Sequence, residues 1–250
     1  MVDIDTTEEK TYSMKNKGWY RVVRGAIGVL VRLLTRTQVR GLEHVPEQGP
    51  YLLVTNHLHW LDSPLIAVAF PYRPYVFVGE KWAKHLLLGP LFRSLDAIFV
   101  QRGEVDRNAL RKALAVLGGG GILGLAPEGT RSKTGGLQRG RTGAAYMALR
   151  AGVKVVPIAI TGEAAVFKAL KHLRRAQVRV VFGPAFEPPI VPADQRPSAA
   201  QAHDFTEEIM YRLAAMLPPE YRGAYRDVTA KRPELLAIYS TGHEPGSNER

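Results

Sequence analysis

The sequence of 250 residues contains no cysteine. Disulfide frameworks, thiolate nucleophiles, cysteine-ligated zinc and iron–sulfur clusters are therefore excluded. A reducing compartment is compatible with this absence. Any nucleophile in the chain must be an oxygen or a nitrogen atom.

Acidic residues are few in comparison with basic ones. The chain has 34 Lys and Arg against 23 Asp and Glu, which gives a formal net charge of +11. Such an excess favours a polyanionic partner: nucleic acid, an anionic membrane surface or a phosphorylated substrate. Nucleic acid is disfavoured because aromatic residues do not interleave with the basic ones as stacking platforms, and no recognition module is present.

The basic block near the N-terminus lacks a long hydrophobic run. Its longest uncharged stretch, 25–31, is far shorter than the roughly 20 residues of a transmembrane helix. At about 100° per residue, its apolar side chains share one face and its arginines the opposite one. The pattern predicts an amphipathic helix in a membrane interface, with a surface helix docked on the core as the alternative. The apolar face contains Trp19, Val22, Val23, Ala26, Ile27, Leu30, Leu33 and Leu34.

From about Val39 onward, short β-branched and aliphatic runs alternate with helical stretches, which is typical of an α/β architecture. After about Arg226 no periodicity is found, and we expect a mobile tail. These changes divide the chain into an acidic leader and interface helix (1–37), an α/β domain (38–226) and the tail (227–250). The strands are predicted at 51–55, 75–78, 97–101, 122–126, 153–161 and 177–182, and the main helices at 63–69, 104–117, 140–151 and 205–217.

Three motif matches are set aside on context. The glycines of a GxGxxG match at 119–124 precede a strand, whereas a dinucleotide fingerprint follows one. The P-loop-like segment 135–142 has Arg141 in the place of the lysine. A His-x-His pair at His57 and His59 resembles zinc-hydrolase ligands, but Asp62 comes one position too late. No metal or nucleotide cofactor is therefore predicted.

The segment 56–64, NHLHWLDSP, joins the end of a predicted strand to the start of a helix, where α/β proteins place ligand chemistry. His57 and Asp62 are five residues apart and can form a hydrogen bond across such a turn. The carboxylate would fix the imidazole tautomer, so that the other ring nitrogen is free to remove a proton from a hydroxyl. His57 is therefore the candidate base and Asp62 its orienting partner; an ordinary structural hydrogen bond is the alternative.

Three later segments follow in order: IFVQR at 98–102, PEGTRS at 127–132 and VVPIA at 155–159. Together with NHxxxxD at 56–62, they resemble the four blocks of the glycerolipid acyltransferase family, over about residues 39–182. One departure is Asp96, which stands where the second block normally begins with glycine. The resemblance implies an α/β fold with a mixed, largely parallel sheet flanked by helices.

The resemblance also implies a reaction. A fatty acyl group would pass from a thioester of coenzyme A or acyl carrier protein, as co-substrate, to the sn-2 hydroxyl of 1-acylglycerol 3-phosphate (lysophosphatidate), forming phosphatidic acid without a cofactor. Arg102 and Arg131 are suited to bind the acceptor phosphate as planar forks. By resemblance, Glu128 belongs to the acceptor site; beside it, Gly129 lets the loop backbone come close to the acceptor, and Thr130 can donate to the phosphate.

A peripheral or monotopic enzyme on the cytoplasmic face of the cell membrane, in contact with anionic lipid, is the expected setting. Two alternatives stay open. The same chemistry could act on another lysophospholipid, an aminolipid or a glycolipid, or the chain could bind anionic membranes without catalysis.

Overall fold

The computed structural model describes residues 17–101, 106–192 and 194–239. The strands in these ranges are β1 (Thr35–Arg40), β2 (Tyr51–Thr55), β3 (Tyr75–Gly79), β4 (Ile98–Val100), β5 (Ile122–Leu125), β6 (Lys154–Thr161) and β7 (Ala176–Phe182). The α-helices are α1 (Lys17–Leu34), α2 (Asp62–Ala69), α3 (Leu88–Ser94), α4 (Arg107–Gly118), α5 (Gly143–Ala151), α6 (Val166–Lys171), α7 (Ala199–Met216), α8 (Val228–Lys231) and α9 (Pro233–Tyr239).

The strands form one seven-stranded sheet within the described residues, in the order β1-β7-β6-β2-β5-β3-β4. Strands β6, β2, β5, β3 and β4 are parallel to one another. β7 is antiparallel to β6, and β1 is parallel to β7. The predicted mixed, largely parallel sheet flanked by helices is confirmed. The carboxyl ends of β2, β5 and β6 therefore meet at one edge of the sheet.

Helices cover both faces of this sheet. Along β2, which is buried at every position, side chains alternate between the faces because the period of a strand is two. Leu52 and Val54 belong to the core with α4, α5 and α7. Tyr51 and Leu53 belong to the core with α1 and α2. Burial on both faces accounts for the continuous apolar sequence of β2, as is usual in parallel sheets.

The predicted N-terminal helix is present as α1, but its apolar face is divided. Val23 and Val31 are buried against the core, whereas other apolar residues along the whole length of the helix are exposed. The Arg24 guanidinium donates to the Ala67 and Val68 carbonyl oxygens, both at 2.9 Å, at the end of α2. The exposed residues of that face, together with Val29 beside them, are called the apolar stripe: Trp19, Val22, Val29, Leu30 and Leu33, which are 44–66% exposed. Among the described residues, no helix combines the length and apolarity needed to cross a bilayer.

Helix α1 is followed directly by β1, a strand that the sequence did not predict. β1 pairs along its whole length with β7. The polar sequence of β1, TRTQVR, suits an edge strand, since most of its side chains face solvent. The predicted boundary between residues 37 and 38 lies inside this strand. The acidic leader, 1–16, is outside the described residues.

The C-terminal segment also differs from its prediction. A mobile tail was expected from residue 227, but the structure has helices α8 and α9 up to Tyr239. Val228, Leu235 and Tyr239 are buried against the core that includes α7. Their burial gives the segment the apolar packing that holds it in place. Residues 240–250 lie outside the described part.

Candidate active site

Asn56 fixes the turn that follows β2. Its side chain is fully buried, and its amide makes two hydrogen bonds with the backbone of Ile160 in β6. Nδ2 donates to the Ile160 carbonyl oxygen at 2.9 Å, and Oδ1 accepts from the Ile160 N–H at 2.8 Å. The side chain therefore takes the place of a further backbone pair between β2 and β6. This pairing holds the next residue, His57, at the carboxyl edge of the sheet.

The structure brings the predicted pair, His57 and Asp62, into contact. His57 Nδ1 lies 2.8 Å from Asp62 Oδ2. The same oxygen accepts the backbone N–H groups of Leu58 and His59, both at 2.9 Å. The Asp62 side chain is only 1% exposed, whereas that of His57 is 18% exposed. The turn therefore wraps around the carboxylate and leaves the imidazole accessible.

This geometry determines which ring nitrogen of His57 can act as a base. An ionised carboxylate only accepts hydrogen bonds, so Nδ1 is the nitrogen that carries the proton. Nε2 then has a free lone pair, and it has no hydrogen-bond partner in the described part of the chain. A hydroxyl that approaches Nε2 can give up its proton, and Asp62 stabilises the imidazolium that results.

The PEGTRS loop after β5 holds the backbone of His57 from both sides. Glu128 Oε1 accepts the His57 N–H at 2.9 Å, and the Ser132 N–H donates to the His57 carbonyl oxygen at 2.8 Å. Glu128 Oε2 accepts the Gln138 N–H at 2.9 Å. Burial raises the pKa of the Glu128 carboxyl, and the hydrogen bonds from Gln138 and His57 oppose that rise. Both oxygens of Glu128 thus hold the loop and the His57 backbone in place.

The other predicted acceptor-site residues lie on the same loop. Gly129 has φ +71°, and a Cβ there would stand 2.9 Å from the Arg141 side chain. The left-handed backbone favours glycine here, and a larger residue would in addition displace the Arg141 side chain that crosses it. Thr130 is half-buried, and Arg131 is exposed and close enough to His59 to lower the pKa of that imidazole. Arg102, the other predicted phosphate ligand, lies outside the described residues.

Arg141 was not assigned to the site on the sequence. Its backbone N–H donates to the Pro127 carbonyl oxygen at 2.8 Å, which brings its exposed side chain against Gly129. Neither Arg131 nor Arg141 has a carboxylate partner among the described residues. The loop therefore presents two uncompensated guanidinium groups.

His59 packs against aromatic rings. Its ring centroid lies 5.5 Å from that of Trp60 and 5.7 Å from that of Phe167. Burial lowers the pKa of His59, Asp62 opposes this, and Arg131 adds to it. In the described ranges, no group of three His, Asp or Glu side chains is arranged to hold a metal ion.

Asp96, the one departure from the block pattern, has a positive φ of 54°. Glycine adopts this left-handed backbone most readily, and aspartate tolerates it better than most other residues. Its carboxylate also accepts from Arg73 at 2.6 Å. The substitution thus keeps the backbone conformation that a glycine would favour.

Glu163, which follows β6, is a further residue of the site that the sequence did not indicate. It is fully buried, and the charge of Asp62 acts on it. No local motif indicates Glu163, because only the pairing of β6 with β2 brings it close to Asp62. Asn56, by contrast, stands directly before His57 in the sequence block.

Comparisons with known proteins agree with this architecture. The crystal structure of the 1-acyl-sn-glycerophosphate (LPA) acyltransferase PlsC from Thermotoga maritima superposes with a TM-score of 0.58 at 22% identity, covering 80% of this chain and 81% of that one. The likeness shows that the two proteins share a fold.

Curated relatives are similar in sequence. A 1-acyl-sn-glycerol-3-phosphate acyltransferase from Borreliella burgdorferi is 30% identical over 129 residues, 49% of this chain and 50% of the relative. A protein of the same name from Chlamydomonas reinhardtii is 30% identical over 197 residues, 76% of this chain and 55% of the relative. The chain spans about half the length of the curated relatives it matches.

The sequence profile described as Acyltransferase matches residues 36–161, half of the 250 residues. The matched segment contains the His57–Asp62 pair and the loop with Glu128 and Arg131 that surrounds it. On this match, the chain belongs to the acyltransferase family.

Proposed function

We propose that the chain transfers a fatty acyl group from a thioester to the sn-2 hydroxyl of 1-acylglycerol 3-phosphate, forming phosphatidic acid. The observation that carries the proposal is the oriented His57–Asp62 pair, whose Nε2 is free, inside the acyltransferase-family segment. The acceptor is proposed because the curated relatives are named for it.

The chemistry needs only the base and an activated acyl donor. His57 Nε2 takes the proton of the sn-2 hydroxyl while the oxygen attacks the thioester carbonyl carbon. The carbon–sulfur bond of the tetrahedral intermediate then breaks, and the imidazolium returns the proton to the leaving thiolate. A thioester is reactive enough for this direct attack, so no acyl-enzyme is needed, in agreement with the lack of cysteine.

The loop after β5 is suited to the acceptor phosphate. Arg131 and Arg141 offer planar donors that bind phosphate in bidentate fashion, and we keep Arg102 as a predicted third ligand. Holding the phosphate away from the reacting hydroxyl uses binding energy to orient that hydroxyl toward His57. Glu128 contributes by holding His57, since both of its oxygens are already occupied.

We further propose that the protein attaches to the cytoplasmic face of the cell membrane as a peripheral or monotopic enzyme. The apolar stripe of α1 is exposed, and basic residues lie beside it. An apolar helix face next to cations is suited to a bilayer interface that contains anionic lipid. A lysolipid acceptor resides in that bilayer and could enter the site without passing through water. Coenzyme A and acyl carrier protein are the proposed carriers of the acyl group.

Thiol release tests the proposal directly. Purified protein is mixed with palmitoyl-coenzyme A, anionic vesicles and one acceptor: lysophosphatidate, lysophosphatidylglycerol or glycerol 3-phosphate. Release that requires lysophosphatidate and is lost in His57→Ala supports the proposal. His203→Ala is the matched control, because that imidazole is exposed on α7 and should leave the rate unchanged.

Three outcomes would contradict parts of the proposal. Equal rates for His57→Ala and the native chain would remove His57 as the base. Release only with another acceptor would keep the chemistry and change the substrate. No release with any acceptor, using either coenzyme A or acyl carrier protein as the donor, together with salt-sensitive binding to anionic vesicles, would favour a non-catalytic membrane-binding protein.

A further inference from the structure

Glu163 has a buried carboxyl group whose two oxygen atoms lack hydrogen-bond partners among the described residues. The residue is 0% exposed, and neither carboxylate oxygen has a hydrogen-bond partner in another described residue. A buried ionised carboxylate without a partner is strongly unfavourable, so such groups are usually paired, neutral or bound to a ligand. The mechanism proposed above gives Glu163 no role. Its complete burial at the carboxyl edge of the sheet therefore needs an explanation.

Asp62 also has a buried oxygen atom that lacks a hydrogen-bond donor. Its Oδ2 accepts three hydrogen bonds, but its Oδ1 is buried and has no partner among the described residues. An ionised carboxylate oxygen requires a donor when it is removed from water. Asp62 thus lacks a donor, and Glu163 in its neutral form carries one. The Asp62 charge acts on Glu163 and disfavours its ionised form.

No lysine or arginine of the described residues donates to Asp62 Oδ1 or to the Glu163 carboxyl. Asp62 is the only charged residue of α2. On the neighbouring elements, Lys168 and Lys171 of α6 and Arg179 of β7 are exposed to solvent. A further titratable neighbour is Tyr221, whose hydroxyl accepts the Gly162 N–H at 3.3 Å. On the side of Asp62, His57 contacts the carboxylate and His59 is affected by its charge. Within the described residues, the charge that acts on Glu163 is that of the Asp62 anion, and it disfavours ionisation of the Glu163 carboxyl.

We propose that Glu163 is a positioning residue that keeps its proton during turnover and donates it as a hydrogen bond to Asp62 Oδ1, directly or across one water molecule. This bond would fix the carboxylate whose other oxygen orients His57. The expected effect of Glu163 on the reaction rate rests on the proposed acyl transfer, whereas the hydrogen bond to Asp62 does not. Burial, together with the Asp62 charge, raises the pKa of Glu163 to about 8, against a small effect of its own backbone N–H. The neutral form therefore prevails at neutral pH.

Deprotonation would remove the donor and place a second anion beside Asp62. The rate should consequently fall as the pH rises past about 8. Glu163→Gln keeps a neutral side chain of the same size whose amide can donate to Oδ1. Glu163→Leu keeps the volume but removes the donor. Comparison of these two variants separates the hydrogen bond from simple filling of space.

The first test is the pH profile of thiol release by the full chain from pH 6 to 9.5. Glu163→Gln should keep kcat within about threefold of the native value at pH 7 and lose the decline above pH 8. Glu163→Leu should lower kcat at least about tenfold and leave the KM for lysophosphatidate unchanged, as expected for a residue that acts through another. Glu208→Gln is the control and should keep the native profile, because Glu208 is a half-buried carboxylate of α7 that pairs with Arg212 of the same helix and with Arg232 after α8.

The second test does not depend on turnover. Carboxyl carbon NMR should show Glu163 titrating at about pH 8, with Glu163→Gln providing the assignment. The Nδ1 proton resonance of His57 should persist in Glu163→Gln and broaden in Glu163→Leu. Titration near the ordinary value of 4.5, or equal effects of Gln and Leu on that resonance, would overturn the inference. Failure of acyl transfer alone would overturn the proposed function and leave these spectra to decide the role of Glu163.

Discussion

Glu128→Gln distinguishes a residue that holds the base from one that binds the acceptor. The glutamine oxygen can still accept the His57 N–H, but the amide nitrogen then faces the Gln138 N–H, so that two donors meet. One hydrogen bond to a buried charged acceptor is lost, which costs about 1.5–3 kcal/mol. Burial disfavours the ionised Glu128 carboxylate and is the main cause of its raised pKa. The neutral glutamine avoids this penalty, which offsets part of the cost.

The net loss in free energy of unfolding should be about 1–2 kcal/mol. For a chain of this size, that corresponds to a decrease in Tm of about 2–8 °C, measurable by calorimetry. Because Glu128 acts through the His57 backbone, kcat should fall about tenfold while the KM for lysophosphatidate is kept. Glu187→Gln, an exposed carboxylate paired with Lys154, is the control and should change neither.

The opposite kinetic pattern would contradict a holding role for Glu128. A carboxylate that touches the acceptor would raise KM when it is replaced and leave Tm unaffected. The pH dependence provides a second check, because the folded chain holds the Glu128 proton more tightly than the unfolded chain does. This contribution to stability is present below the ordinary pKa of 4.5 and is lost as the pH rises through the raised value. The Tm deficit of Glu128→Gln should therefore be larger at pH 4 than at pH 7.

Three further predictions concern the base, the phosphate and the membrane. Asp62→Asn should lower kcat in thiol release by a factor on the order of 10⁴, since the imidazole loses its orienting carboxylate, and a loss below tenfold would contradict the assigned pair. Arg141→Ala should raise the KM for lysophosphatidate about tenfold but not that for a phosphate-free lysolipid; equal increases for both would place Arg141 away from the phosphate. Leu33→Glu should weaken sedimentation with anionic vesicles at least about tenfold, whereas Ile190→Glu, an equally simple change outside α1, should not; unchanged binding by Leu33→Glu would place the bilayer contact elsewhere.

Strands buried in the sheet were predictable because their sequence carries the signal. β2 begins and ends where the apolar run YLLVT does, and the alternation of β7 matches its burial pattern. Helix α7 begins six residues before its predicted start, although a local signal was present. Ser198 and Gln201 form a capping box, in which each side chain bonds the backbone of the other residue.

β1 could not be predicted from local pattern, because TRTQVR continues the basic N-terminal block and becomes a strand only by pairing with β7. The same distinction holds within the site. His57 and Asp62 lie in one short segment, so their contact follows from a single turn. Arg141 and Glu163 reach the site through loop and sheet contacts with distant segments. Their chemistry depends on tertiary neighbours that no spacing in the sequence reveals.

Helix α2 links the surface of the molecule to the reacting centre. It has eight residues and is therefore about 12 Å long. Asp62 is its first residue, and the Arg24 guanidinium of α1 donates hydrogen bonds to two carbonyl oxygens at its C-terminal end. A displacement of α1 would therefore be carried through α2 to the Asp62 carboxylate that contacts His57. If α1 rests on a bilayer as proposed, turnover would respond to the lateral pressure or curvature of that bilayer.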